Sequence, residues 1–248
     1  HWKLYSENLP GRINMQQVLH IIKNEFKTYF VSPIAYIVIS VFLLVTGWFF
    51  FTAFFLTNQA STRNFFALLP FIFSFIIPAV TMRLFSEELS SGSYETLLTM
   101  PVTFMDVILG KFLAGVLFIA VMLAPTVSYS ITVSFIGELD WGPVFAGYTG
   151  AILLGAAFCS IGLFASSLTR NQIVAFIAGT AICFTLTMLD KMLFFLPPSF
   201  VDALEYMGAD FHFHNISKGV IDSRDLLYFL SVIFLGLYGC YLSLQEKY

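Results

Sequence analysis

Long apolar stretches alternate with short polar ones along this chain. Six stretches lack Asp, Glu, Lys and Arg over roughly the 20 residues that a helix needs to cross a bilayer. They are Ile34–Leu56, Phe65–Met82, Phe112–Ile136, Val144–Thr169, Ile173–Leu189 and Leu226–Leu244. Backbone groups in lipid must be hydrogen-bonded internally, so runs of this length indicate helices rather than barrel strands. The pattern predicts an all-α integral membrane protein with six transmembrane helices.

The segment ahead of the first stretch has a helical amphipathic pattern. Apolar side chains of Met15–Phe30 fill one half of the helical wheel, with Glu25 as the misfit among them. The basic side chains on the opposite half are His20, Lys23 and Lys27. Pro33 then disfavours continuation. We expect residues 15–32 to form an interfacial helix beside anionic lipid headgroups, the alternative being a cytoplasmic extension of the first span.

Prolines and small residues within the stretches predict how the helices pack. Pro70, Pro78 and Pro125 favour kinked helices inside a bundle, because neighbouring groups must satisfy the freed carbonyls. The fourth stretch is rich in residues that permit close helix contact. These residues are Gly147, Gly150, Ala151, Gly155, Ala156, Ala157 and Gly162. The contact could lie within one chain or between two copies.

Composition excludes a soluble protein. Charged residues make up 11% of the chain and hydrophobic residues 58%, whereas soluble domains carry about 25% charged residues. A net charge of −3 does not indicate a nucleic-acid surface. The three cysteines fall within predicted spans, so a disulfide framework or a cysteine-rich metal site is not expected.

The distribution of basic residues predicts the orientation. An even number of spans puts both termini on one side, and that side carries eight of the twelve Lys and Arg residues. The eight are Lys3, Arg12, Lys23, Lys27, Arg83, Lys111, Arg170 and Lys247. Both termini are therefore expected in the cytoplasm. Residues 1–14 do not resemble a signal peptide. We expect them to be a non-native or disordered leader, with a single membrane domain over 15–248.

Residues 83–106, between the second and third stretches, contain more charged residues and more signals for helix starts and ends than a simple loop needs. Gly92 should end a helix that begins near Arg83, with Glu87 and Glu88 in water. A short helix capped by Ser93 would follow and end at Pro101. Its remaining notable residues are Tyr94, Glu95, Leu97 and Leu98. Thr103-Phe-Met-Asp106 has the spacing of a capping box. Exposed apolar edges usually bind a partner, so the segment predicts a docking element.

Residues 190–225 are expected on the outer side. The apolar run before Pro197-Pro198 is too short to cross a bilayer, and Ser199–Met207 should form a short helix ended by Gly208. His212 and His214 alternate with phenylalanines and would share one face of a strand. Two histidines without further ligands make a metal site less favoured than an interfacial aromatic segment.

Several of these residues also resemble a known family, the membrane subunits of ABC-2 type exporters. The matching residues are Met82-Arg83, Glu87-Glu88, Gly92-Ser93, Glu95, Leu97-Leu98, Pro101 and Gly110-Lys111. The resemblance runs from about Met15 to the C-terminus and includes Ser166–Gln172. Within the family, Phe211–Asp225 is most similar to permeases associated with gliding motility.

The resemblance implies a permease of the bacterial inner membrane that pairs with a second copy or a paralogue. Each permease would dock Gly92–Pro101 as a coupling helix onto a separate ATP-binding subunit, with Glu87 and Glu88 as its anchor. ATP and Mg²⁺ would bind that partner, because Met105 and Phe112 break any phosphate-loop pattern around Gly110-Lys111. No cofactor is expected in this chain. An outer auxiliary protein is a further possible partner.

Two other function classes remain as alternatives. An intramembrane enzyme would need a base or metal ligands within the spans, and the six uncharged stretches do not supply them. A channel or scaffold without ATP coupling fits the spans but leaves the segment Gly92–Pro101 without a role. The sequence does not identify a substrate. A bulky amphiphile, a polysaccharide and a mechanical role all stay open.

Overall fold

The computed structural model describes residues 15–57, 61–92, 103–192, 206–220 and 222–247, and all regular structure within them is helical. The helices are α1 (Met15–Val31), α2 (Pro33–Thr57), α3 (Arg63–Thr81), α4 (Arg83–Ser91), α5 (Phe104–Leu123), α6 (Val127–Ile136), α7 (Trp141–Leu168), α8 (Gln172–Met192), α9 (Ala209–Ser217) and α10 (Ser223–Gln245). A 3₁₀ turn, Ala124–Thr126, joins α5 to α6. The predicted all-helical class is confirmed.

Six helical segments in the described ranges are long and apolar enough to cross a membrane. They are α2, α3 with α4, α5 with α6, α7, α8 and α10. The third segment starts at Phe104, earlier than the predicted Phe112, because the capping box at Thr103 begins its helix. The predicted kink at Pro125 takes the form of the 3₁₀ turn.

Helix α7 lies at the centre of the bundle, and its small residues let neighbouring helices approach. A Cβ atom at Gly162 would clash with Thr81 Oγ1 of α3. One at Gly155 would lie 2.9 Å from Ile119 of α5. Gly150 meets Ile216 of α9 in the same way. The close contacts that the sequence left open are therefore made within one chain.

Helix α1 packs along α5. Val18 is buried, and the Ile21 side chain occupies the space where a side chain at Gly110 would lie. Further along, the Tyr29 ring stacks on Phe118 with 4.9 Å between the ring centroids. The helix thus buries one side against the bundle, while its location at a membrane surface stays a prediction.

The two ends of the bundle are defined by which helix termini meet. At one end, Ser243 in the last turn of α10 and Lys247 just after that helix donate hydrogen bonds to the carbonyl of Ser167 near the end of α7. We call this the α4 end, because α4 lies there too, against α7. The opposite end, called the α9 end, holds the first turns of α7 and α10.

The structure corrects one expected conformation at the α9 end. Gly208, the predicted stop of the preceding helix, lies directly before the first turn of α9. His212 and His214 lie on this helix and not on a strand. The expected helix Ser199–Met207 and the run before Pro197-Pro198 fall mostly on residues 193–205, outside the described residues.

Candidate functional site: a charged cluster at the α4 end

Lys111 is the centre of a buried charged cluster formed by three helices. Lys111 belongs to α5. Its Nζ donates hydrogen bonds to Glu25 Oε1 of α1 and Glu88 Oε1 of α4, each at 2.7 Å. The Lys111 side chain is 2% exposed, and the two glutamates are about one-fifth exposed. Its Nζ also lies 5.3 Å from the ring centroid of Phe85, at a distance that permits a cation–π contact.

This cluster explains one feature of the sequence and corrects another. Glu25, the misfit on the apolar side of α1, faces the bundle because its partner Lys111 lies there. Glu88 was expected in water, but it turns inward to the same ammonium group. A buried ammonium is stable only when carboxylates and hydrogen bonds offset its lost hydration.

Glu87, next in sequence to Glu88, has a different environment. It accepts a hydrogen bond of 2.9 Å from Arg83 Nε, one helical turn earlier. Both side chains are substantially exposed, so the pair is a surface contact of the kind that contributes little to stability. Of the two predicted anchor residues, only Glu88 joins the buried cluster.

A serine of α7 supports the junction between α3 and α4. The Ser166 hydroxyl accepts hydrogen bonds from the backbone N–H groups of Phe85 and Ser86, each at 3.0 Å. It also donates to the carbonyl of Met82 at 2.9 Å. These contacts satisfy the backbone where one helix gives way to the next. Sequence reasoning placed Ser166 in a turn and did not predict this role.

The ends of the predicted coupling segment are described, but its middle is not. Gly92 ends α4 in the left-handed conformation, with φ of 71°, as its predicted role requires. At the other end, the Thr103 side chain accepts from the Asp106 N–H, and Asp106 in turn accepts from the Thr103 N–H, so the predicted capping box is confirmed. The remaining coupling residues lie outside the described residues. They are Ser93, Tyr94, Glu95, Leu97, Leu98 and Pro101.

The basic residues of α1 lie apart from the cluster. These residues, His20, Lys23 and Lys27, are exposed. The structure therefore does not bring them together with Lys111.

The α9 end holds a second buried polar pair that the sequence did not reveal. His212 Nδ1 of α9 lies 2.6 Å from Asp225 Oδ1 of α10, and His212 Nε2 lies 3.0 Å from the carbonyl oxygen of Tyr206. A carbonyl oxygen can only accept, so Nε2 carries a proton. The other contact then also needs a proton, on either the imidazole or the carboxyl group.

His212 is further held by an aromatic contact. Its ring stacks on that of Tyr228, with 4.1 Å between centroids. His214 does not join this pair, since its side chain is exposed. Partial loss of hydration together with nearby Lys218 lowers its pKa. Within the described ranges there is no group of three His, Cys, Asp or Glu residues that could hold a metal ion.

A bundle of six apolar spans with a charged cluster at one end defines a helical integral membrane protein. The chain matches the family described as ABC-2 family transporter protein over residues 19–215, and it belongs to that family. It is therefore a membrane permease of an ABC transporter, a class that works with an ABC ATP-binding partner. None of the curated proteins compared with it matches.

Proposed function

We propose that this permease is the transmembrane subunit of an ATP-driven exporter and that residues 83–106 couple it to the ATP-binding subunit. Both termini and the α4 end would face the cytoplasm of a bacterial cell. The permease would work as a pair with a second copy or a paralogue. Phe211–Asp225 favours the gliding-motility type of permease, in which the outer side could act on an auxiliary protein.

The observation that carries this proposal is the Lys111 cluster. The segment 93–102 connects α4 to α5, and Lys111 ties both of these helices to α1. A force applied to the segment would therefore reach three helices through one buried ammonium group. Ser166 extends this connection to α7, the central helix. Such a contiguous network is what transmission from a docked partner requires.

Some residues of the segment would contact the ATP-binding subunit, and others would fix the segment to the permease. Leu97, Leu98 and Glu95 would contact the ATP-binding subunit, since the sequence predicts an apolar edge there. Glu88 would hold the start of the segment in position from inside the permease, because it forms an ion pair with Lys111. Glu87 and Arg83 remain at the surface beside the segment, where they could contact the partner directly.

Co-purification tests the docking role. Leu97→Glu with Leu98→Glu should abolish recovery of the ATP-binding subunit encoded beside the permease, because charges cannot be desolvated in an apolar contact. The control is Val220→Glu, which places one such charge at an exposed apolar residue of the α9 end. Full recovery of the ATP-binding subunit with the double variant would contradict the proposal.

A transport assay separates this proposal from an ATP-independent channel or scaffold. In vesicles that hold the assembled complex, movement of the substrate or of the outer partner should require hydrolysable ATP. Replacing the catalytic base of the ATP-binding subunit should then abolish it. Movement that continues with a non-hydrolysable analogue would favour the channel or scaffold.

A further inference from the structure

A cavity of about 320 Å³ lies at the α4 end between α1, the start of α2, α3, α4 and α5. Ligand sites in proteins commonly occupy about 300–1,000 Å³, so this cavity could accept a small headgroup. It borders the Lys111 cluster, but most of its wall is made by other residues.

The cavity is lined by both polar and apolar side chains. The polar ones are Asn24, Glu25, Thr28, Ser32, Arg83, Glu87, Glu88 and Lys111. The apolar ones are Ile34, Ala35, Val38, Ala79, Val80, Leu84 and Phe118. Ile34, in the first turn of α2, is exposed. A ligand that contacts both kinds of side chain has a polar head and an apolar body.

Two buried polar atoms of lining residues lack a hydrogen bond. They are the hydroxyl oxygen of Tyr29 and Oε2 of Glu88, neither of which has a partner among the residues that the structure describes. Buried polar groups are rarely left in this state, because each one loses its hydration without compensation. Burial also raises the pKa of the Tyr29 hydroxyl well above its usual value. Both atoms can accept a hydrogen bond from a ligand.

The charges of the lining favour a cation. Three carboxylates (Glu25, Glu87 and Glu88) face two cationic side chains, and each of those cations already contacts a carboxylate. An anionic head would approach a net negative wall. A cationic head would gain from the carboxylates and from the Tyr29 ring, which stacks on Phe118.

We propose that this cavity binds the protonated primary amine of an amphiphile. The ammonium group supplies N–H donors for Tyr29 and for Glu88 Oε2, and the apolar body lies along α2 and Phe118. A quaternary ammonium fits less well, since it has no N–H donor. The proposal concerns binding alone and does not depend on coupling to ATP hydrolysis.

Two sources supply this chemistry, a lipid with a primary-amine headgroup and a free amphiphilic amine. The test uses the full chain in phosphatidylcholine nanodiscs. Dodecylamine should bind at least about ten times more tightly than dodecanol, which has the same chain without the charge. A photoreactive alkylamine should cross-link to peptides of α1, α2 or α4. Native mass spectrometry of nanodiscs with added phosphatidylethanolamine then tests the lipid source.

Three variants locate the site. Tyr29→Phe removes only the hydroxyl acceptor and should weaken dodecylamine binding by about 2–10-fold. Ala79→Phe fills the cavity from α3 and should abolish cross-linking. Tyr36→Phe is the matched control, because it removes the same hydroxyl from an exposed tyrosine of α2, and it should change nothing.

The outcomes distinguish the sources and can overturn the proposal. Selective retention of phosphatidylethanolamine that dodecylamine displaces identifies a lipid site, and amine binding without retained lipid identifies a free amine. The proposal is wrong if dodecanol binds as tightly as dodecylamine. It is equally wrong if Ala79→Phe cross-links like the parent chain, or if Tyr29→Phe binds the amine as tightly as Tyr36→Phe.

Discussion

The two ends of the bundle each hold a buried ionisable group, but they hold it by different means. At the α4 end, one ammonium group is shared by two carboxylates from two other helices. At the α9 end, one imidazole meets one carboxylate on the next described helix, with a backbone carbonyl and an aromatic ring completing its environment. An imidazole has an uncharged form near neutral pH, whereas an ammonium group does not readily lose its charge.

This difference shows where the fold depends on charge. The partners of Lys111 lie 86 and 23 residues away, so the cluster forms only when α1, α4 and α5 have assembled. The partner of His212 lies 13 residues away, on the helix that follows. The buried polar contact of the α4 end thus joins helices that include one distant in sequence, and that of the α9 end joins two consecutive described helices.

The largest expected effect comes from removing the ammonium group. Lys111→Met keeps a long side chain but leaves Glu25 and Glu88 facing each other without a cation. Loss of one partner from a buried ion pair costs about 3–5 kcal/mol. The lower end of that range is expected, because the glutamates are 20% and 22% exposed. The free energy of unfolding in mixed micelles measures the loss.

Two further variants sharpen this result. Lys218→Met removes the charge of an exposed lysine that ends α9, and it should cost less than about 1 kcal/mol. Adding Glu25→Gln and Glu88→Gln to Lys111→Met should recover much of the lost stability, since no uncompensated charge remains. A triple variant as unstable as Lys111→Met would show that the loss comes from packing and not from charge.

Much of the α4 end could have been anticipated from sequence. Periodicity predicted the spans, Gly92 the end of α4, and the spacing of Thr103 and Asp106 the start of α5. Glu25 on an apolar helix face was a signal for a buried cation. Its partner could not be chosen, because helical periodicity gives a direction around one helix but no contact between helices distant in sequence.

The second prediction concerns the α9 end. Asp225→Asn keeps the size of the side chain and a hydrogen-bonding group beside His212, but removes the carboxyl group. We expect a loss of about 1–3 kcal/mol, the cost of disturbing the hydrogen bond of a buried polar group, and therefore a smaller loss than for Lys111→Met. Thermal unfolding of both variants in one detergent gives the comparison. A larger loss for Asp225→Asn would reverse our ranking of the two ends.

The sequence was less informative at this end. Asp225 was assigned to the outer segment because it precedes the last uncharged stretch, although Asp222, an N-cap residue type, was a local signal that α10 begins at Ser223. His212 and His214 were placed on one face of a strand, whereas helical geometry sends His212 inward and leaves His214 exposed. Short mixed segments carry too little periodicity to distinguish the two conformations.

The smallest expected effect compares two adjacent glutamates of α4. Glu87→Gln weakens an exposed pair with Arg83, whose side chains are 50% and 34% exposed, and should cost less than about 0.5 kcal/mol. Glu88→Gln leaves Lys111 with one carboxylate and should cost about 1.5–3 kcal/mol. The substitution is chemically identical, so the difference measures the buried position. Unfolding of the two variants side by side provides the test, and equal losses would mean that Glu88 contributes no more than a surface charge.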